Sequence, residues 1–298
     1  MRSWTLGLAG LLALAISVSA QRDFSKVEIV TTPLGHGLSM LAGAGGNIVA
    51  SAGEDGVFVV DDEFAELHPK IRAALSKLSE RPVRFVINTH WHGDHTGDNA
   101  NLAGEGAVIV AQDNVFRRMS AEQFIKHLNR TVPASPKAAL PVVTFNDEAT
   151  LHLNGEAVHL VHVKNAHTDG DVLVHFPAAG VLHMGDCFFG GMYPIIDIGT
   201  GGTIDGYIAS VDRGLALAAP GTKVVPGHGP LGTREDLAAF GSMLKEARAA
   251  VAALKSAGKS AEETIVARPT AALDERWGSG SVKPEAFVRT VYDTLPAR

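Results

Sequence analysis

The sequence predicts a single mixed α/β domain, of α/β or α+β type, and three observations carry that expectation. Short apolar or alternating runs of strand length recur along the chain, closed by Gly, Pro, Asn or Asp. Longer stretches with helical spacing of apolar residues lie between them. Residues able to hold a metal follow directly on the strand-like runs, the loop positions from which a rigid sheet presents chemistry.

Taken in order, residues 1–20 read as a secretory signal peptide: Arg2, an apolar stretch over 6–18, then Val18-Ser19-Ala20 with the small residues a signal peptidase favours. The apolar stretch is short for a retained membrane anchor, and no Cys near residue 20 offers a lipid attachment. Cleavage before Gln21 leaves 21–298 as one domain, periplasmic or secreted, with no stable membrane insertion. Segments near 27–30, 38–41, 47–51 and 56–60 read as an opening sheet, and 63–77 as a helix leading into the buried strand 83–87. The spacing predicts a helix over 113–128, broken by Pro133 and Pro136, then strands from 150 to 183. Helices follow over 204–218 and 235–254. After about Ser260 comes a short tail of one or two helices, with Phe287, Val291 and Leu295 on one apolar face.

The chain carries 26 Lys and Arg against 32 Asp and Glu. Without Arg2 the balance is 25 against 32, a formal charge of minus seven. That disfavours nucleic acid, whose phosphates need clustered cations, and leaves a small molecule as the expected partner. The single Cys187 cannot form an internal disulfide. Neither a Gly-x-Ser-x-Gly elbow nor a P-loop is present, so nothing points to a serine nucleophile or a nucleotide.

The most informative stretch is Thr89-His90-Trp91-His92-Gly93-Asp94-His95. Helical ligand pairs sit three or four residues apart; these are two apart and then adjacent, which suits a loop at the end of a strand. Four such donors do not easily converge on one tetrahedral ion, so His90 and His92 are expected at one metal, with Asp94 and His95 turned toward a second. Further donors recur downstream in similar settings: His167 before Thr168-Asp169-Gly170-Asp171, Asp186 in Met184-Gly185-Asp186, and His228 in Gly227-His228-Gly229.

The order His-x-His-x-Asp-His, His before Thr-x-Gly-Asp, Gly-Asp after a strand, then Gly-His-Gly, resembles the metallo-β-lactamase superfamily, over about residues 26 to 230. The resemblance implies a four-layer αββα sandwich with a dinuclear zinc site along one edge. It also implies a ligand set: His90, His92 and His167 on the first zinc, Asp94, His95 and His228 on the second, and Asp186 between them.

The donor types suit two zinc ions per chain, with iron or manganese as alternatives. Two ions about 3.5 to 4 Å apart lower the pKa of a shared water toward about 7, so the expected nucleophile is hydroxide. Asp94 is then the catalytic side chain, ligating and accepting a hydrogen bond from that water. The apolar loop 188–196, with Phe189 and Tyr193, is expected to line a substrate pocket, with Trp91 as a wall and Tyr193 as a donor to an oxyanion. Asp171 is expected either to orient a ligand His from behind or to cap its turn. Cys187 reads as a small buried apolar residue beside the site or as an alternative ligand. His152, His159, His162, His175 and His183 read as structural or surface histidines, and His36, His68 and His127 stand alone.

The chain lacks Lys or Arg between Cys187 and Arg213, where β-lactamases with a Cys ligand hold the antibiotic's carboxylate. It has Phe189 where quorum-signal lactonases have Tyr, and lacks the basic C-terminal region of glyoxalase-type thioesterases. Export nevertheless favours an extracellular cyclic amide or ester, with β-lactam hydrolysis leading. A lactonase, a thioesterase and a non-catalytic metal-binding accessory protein are the alternatives.

Overall fold

A computed structural model describes residues 23–296, so the stretch 1–20 expected to be a signal peptide lies outside the described residues. The strands are β1 (Val30–Gly35), β2 (Leu38–Ala42), β3 (Ile48–Gly53), β4 (Gly56–Val60), β5 (Val83–Ile87), β6 (Val108–Gln112), β7 (Gln123–Ile125), β8 (Arg130–Val132), β9 (Val143–Phe145), β10 (Glu148–Leu153), β11 (Glu156–His162), β12 (Val172–Phe176), β13 (Val181–His183), β14 (Lys223–Val225) and β15 (Gly232–Thr233). Among them run α1 (His68–Leu78), α2 (Gly93–Thr96), α3 (Asn99–Gly104), α4 (Asp113–Met119), α5 (Ile204–Leu217), α6 (Arg234–Ser256), α7 (Ala261–Val266), α8 (Ala271–Trp277) and α9 (Pro284–Thr294). One sheet has the order β1-β2-β3-β4-β5-β6-β9, the other β10-β11-β12-β13-β14-β15, and β7 with β8 forms a separate hairpin.

Strand alternation builds the four layers. In β4, Phe58 and Val60 join Val172, Val174 and Phe176 of β12 in the core between the sheets. Val57 and Val59 face the other way, onto Ile71 and Leu75 of α1. Both faces of the strand are buried, which is why Val57-Phe58-Val59-Val60 is continuously apolar. The outer face of the second sheet, with Leu173, Leu182 and Val224, is covered by α5, α6 and α9 through Tyr207, Phe240 and Val291. Two sheets packed face to face with helices outside each is the αββα sandwich.

Several expected elements differ. The predicted helix over 113–128 stops at Met119, and Phe124-Ile125 pairs with Thr131 and Arg130 across a turn with Asn129 in the left-handed region, φ 47. β-branched and aromatic residues outweigh the helical spacing there. The first strand begins at Val30, three residues past the predicted start, and the helix expected from 63 begins at His68 after one 3-10 turn. The C-terminal stretch forms three helices rather than one or two, and Trp277, Phe287 and Val291 are buried in the main core, so it is a layer of the domain and not a tail.

Strand direction places the site. β4, β5 and β6 run parallel, as do β13 and β14. The loops leaving β4, β5, β13 and β14 carry Asp61, the His90–His95 segment, Asp186 and His228, and all four meet at one edge of the sandwich.

Candidate metal centre

Two groups of donors lie at that edge. His90, His92, His167 and Asp186 can each offer an atom within 4.8 Å of the others, and so can Asp94, His95 and His228. The carboxylate of Asp186 faces both groups. Its Oδ2 is 3.8 Å from His90 Nε2 and 3.5 Å from His167 Nε2. Its Oδ1 is 3.1 Å from His95 Nε2 and 3.4 Å from His228 Nε2. His92 turns Nδ1 inward, 2.9 Å from His167 Nε2. Asp94 Oδ2 stands 3.4 Å from His228 Nε2 and 4.0 Å from His95 Nε2.

The far side of four of the five imidazoles is held. His90 Nδ1 meets Thr89 Oγ1 at 3.1 Å, and His167 Nδ1 meets the Ile195 carbonyl at 2.9 Å. His92 Nε2 lies 3.1 Å from Asp197 Oδ2, and His95 Nδ1 lies 2.8 Å from Asp61 Oδ2. Such backing fixes the tautomer and aims the free nitrogen. Asp61 also accepts from Thr89 N and Oγ1, each at 2.7 Å, and holds φ 62 to do so, a backbone conformation costly for a residue with a Cβ. Two glycines leave room for the donors: a Cβ at Gly46 would strike the His95 ring, and one at Gly227 would strike Asp186 Oδ1 and lie 2.8 Å from the Gly185 carbonyl.

The donor set fits a metal. His90 Nε2 and Asp186 Oδ1 are buried with no hydrogen bond of acceptable geometry among the described residues, an expensive state unless a cation is the partner. Burial holds His90 well below the ordinary imidazole pKa and brings His167 down to about 4, against the pull of Asp186. Both are therefore neutral, the form that ligates. Around His95 the balance reverses: burial is outweighed by Asp186, Asp61 and Asp94, and its pKa rises well above the ordinary value. The second group demands positive charge, which a metal would supply in place of a proton.

The segment after Asp186 divides. Phe189 is buried with its ring 5.2 Å from that of His228 and nearly parallel, so it walls the second group. Tyr193, expected to line the pocket, is instead fully buried against Phe287, and its hydroxyl donates to Asp274 Oδ1 at 2.9 Å. It cannot reach an oxyanion, because the chain turns at Gly190-Gly191 into the helical layer. Trp91 is buried beside the His92 ring with Val115 and Ile125, a wall behind the ligand rather than a face open to substrate. Asp171 accepts from Thr168 N and Oγ1, so it caps the turn and touches no ligand ring. Burial pushes its pKa up to about 7 despite those donors. Cys187 is buried outside both groups, and burial pushes its thiol pKa up. His68, read as alone, bonds Asp98 Oδ2 at 2.8 Å through Nδ1.

Sequence reasoning missed Asp61 and Asp197. Asp61 follows an apolar strand, as His90 does, and that rule applied to β4 would have singled it out. Asp197 has no local signal; its role exists only because the loop returns to His92.

With fold and geometry in place, the comparisons with known proteins are direct. The sequence pattern of the Metallo-beta-lactamase superfamily matches residues 43–228, so the chain belongs to that superfamily of metal-dependent hydrolases. Among curated relatives, a 2,4-dinitroanisole O-demethylase subunit alpha of Nocardioides sp. is 28% identical over 147 residues, 48% of this chain and 41% of its own length. A hydroxyacylglutathione hydrolase of Erythrobacter litoralis is 24% identical over 108 residues, 36% of this chain and 35% of its own. The chain thus matches less than half the length of either. Among solved structures, a metallo-beta-lactamase from Pontibacter korlensis aligns with a TM-score of 0.58 at 17% identity, over 73% of this chain and 99% of that one. The sec-alkylsulfatase Pisa1 from Pseudomonas sp. aligns at 0.67 and 14% identity, over 90% of this chain and 50% of that one. At such identities the structures speak for the fold alone.

Proposed function

We propose that the protein is an exported dizinc hydrolase that opens a cyclic amide or ester, with β-lactam hydrolysis the leading activity. The observation that carries the reading is the carboxylate of Asp186, with one oxygen toward each donor group. His90, His92 and His167 would hold one zinc, Asp94, His95 and His228 the other, and Asp186 both. When bound, such a pair polarises a carbonyl and lowers the pKa of water toward about 7.

The chain's own residues supply the rest. Asp94 and His228 are the most open donors, with side chains 31% and 25% exposed, so the site opens to solvent there. Asp94 has a carboxylate oxygen free to accept a proton from an attacking water and to orient it. Phe189 covers His228 and keeps bulk water from that flank. Asp197 and Asp61 hold His92 and His95 in their rotamers, so the donors need not reorganise during reaction. A thioesterase uses the same donors, and the likeness to a hydroxyacylglutathione hydrolase speaks for it; export would remove its cytosolic substrates.

The test is Asp94→Asn assayed at saturating zinc against β-lactams, lactones and thioesters. Turnover should fall on the order of a hundredfold or more, as when a positioned base is lost. Near-normal turnover would show that Asp94 only ligates, and hydrolysis of none of the panel by the parent protein would leave metal binding without catalysis.

A further inference from the structure

Five of the seven large apolar side chains exposed among the described residues, Phe116, Phe124, Leu128, Val142 and Val143, fall between residues 116 and 143. The same segment holds five cations, Arg117, Arg118, Lys126, Arg130 and Lys137, against one anion, Glu122. Its charge is therefore plus four, on a chain whose net charge is minus six. Apolar exposure and charge reversal coincide on the β7–β8 hairpin, at Phe124, Lys126, Leu128 and Arg130. Lys126 and Arg130 are exposed and have no ion pair among the described residues.

The hairpin is fixed beside the metal centre. A Cβ at Gly199 would lie 3.3 Å from the Phe124 carbonyl oxygen and 4.0 Å from Lys126 Cβ. Gly199 N donates to Asp197 Oδ1 at 3.1 Å, and Asp197 Oδ2 backs His92. Ile125 is buried in one cluster with Trp91. Exposed Phe and Leu around unpaired cations, next to a hydrolytic centre, match a ligand with an apolar body and an anionic head.

We propose that this hairpin recognises the substrate, an apolar molecule bearing a carboxylate or sulfate, with Lys126 holding the anion and Phe124 and Leu128 its apolar body. The inference rests on the hydrolase reading and supplies the cation that the loop after Asp186 lacks. An anionic membrane would use similar chemistry, but Arg118 is tied to Asp169 and Arg117 to Asn114. The three cations left are fewer than the roughly four to eight of lipid-binding clusters.

The test compares the zinc-loaded protein with K126E and F124S, using fluorescence titration of 8-anilinonaphthalene-1-sulfonate and hydrolysis of a matched substrate pair, one anionic and one methyl-esterified. K126E should weaken sulfonate binding and raise KM for the anionic substrate about tenfold, the scale of one partly exposed ion pair reversed. Its kcat, its zinc content and its KM for the neutral ester should stay within about twofold. F124S should raise KM for both substrates. Sulfonate binding that depends on Lys126, in a protein that hydrolyses nothing, would uphold the hairpin's role and sink the hydrolase reading. Unchanged sulfonate affinity and KM in K126E would overturn the inference while leaving that reading intact. Sedimentation with phosphatidylglycerol vesicles that K126E abolishes would also overturn it, by giving the hairpin to a membrane surface.

Discussion

Replacing Gly46 with Ala adds one methyl group where the nearest atoms all belong to the His95 ring, with Nε2 at 2.6 Å and Nδ1 and Cε1 closer still. Ordinary contact needs about 3.5 Å, so the ring must recede by about 1 Å. The backbone itself accepts Ala, because Gly46 is not in the left-handed region. A 1 Å displacement is several times the ~0.2 Å tolerance of a metal–ligand bond, and it breaks the 2.8 Å contact to Asp61. Loss of such a backing contact alone costs about 10- to 100-fold in metal affinity, so the second group should bind zinc at least 100-fold more weakly once the ligand is displaced too. The first group should weaken less, since the added methyl touches none of its imidazoles and the two groups share only Asp186. Zinc titration against a chelating indicator reads both affinities in one experiment. Equal weakening at both groups, or at neither, would refute the argument that Gly46 exists to seat His95.

The parent protein should carry about two zinc ions per chain and lose activity on dialysis against a strong chelator, checked by emission spectroscopy; full activity with one metal would sink the dinuclear reading. His228→Ala should empty mainly the second group and His167→Ala mainly the first, and anomalous scattering at the zinc edge tells them apart. Asp197→Asn keeps the shape but removes the charge that holds His92, so zinc affinity at the first group should drop by about 10- to 100-fold while the melting temperature of the metal-free protein moves little. An unchanged affinity would mean that Thr89 and Ile195, behind His90 and His167, suffice to fix the first group.

What the sequence makes legible is local. His90 to His95 are written within six positions, and each downstream donor follows a strand-like run, so the seven donors stand out in short-range pattern, while the four-layer sandwich comes from the family resemblance that this pattern carries. What it hides is return contact. Asp197 reaches His92 across 105 residues, and the turn at Gly190-Gly191 that carries Tyr193 into the helical layer depends on Phe287 and Asp274 far downstream. Helical spacing misled over 120–128, where Phe124 and Ile125 pair with Thr131 and Arg130, because pairing partners lie outside any window of periodicity. The C-terminal helices looked peripheral for a similar reason: Phe287, Val291 and Leu295 read as one modest apolar face until the outer side of the second sheet is there to receive them.

The central claim is that one carboxylate serves two metal groups. A crystal of the zinc-loaded protein, with anomalous maps at the zinc edge, tests it most directly. Two peaks of comparable height should appear, one within ligand distance of Asp186 Oδ2, His90, His92 and His167, the other near Asp186 Oδ1, Asp94, His95 and His228. A single peak at either group under saturating zinc, or two peaks with Asp186 bound to only one, would contradict it.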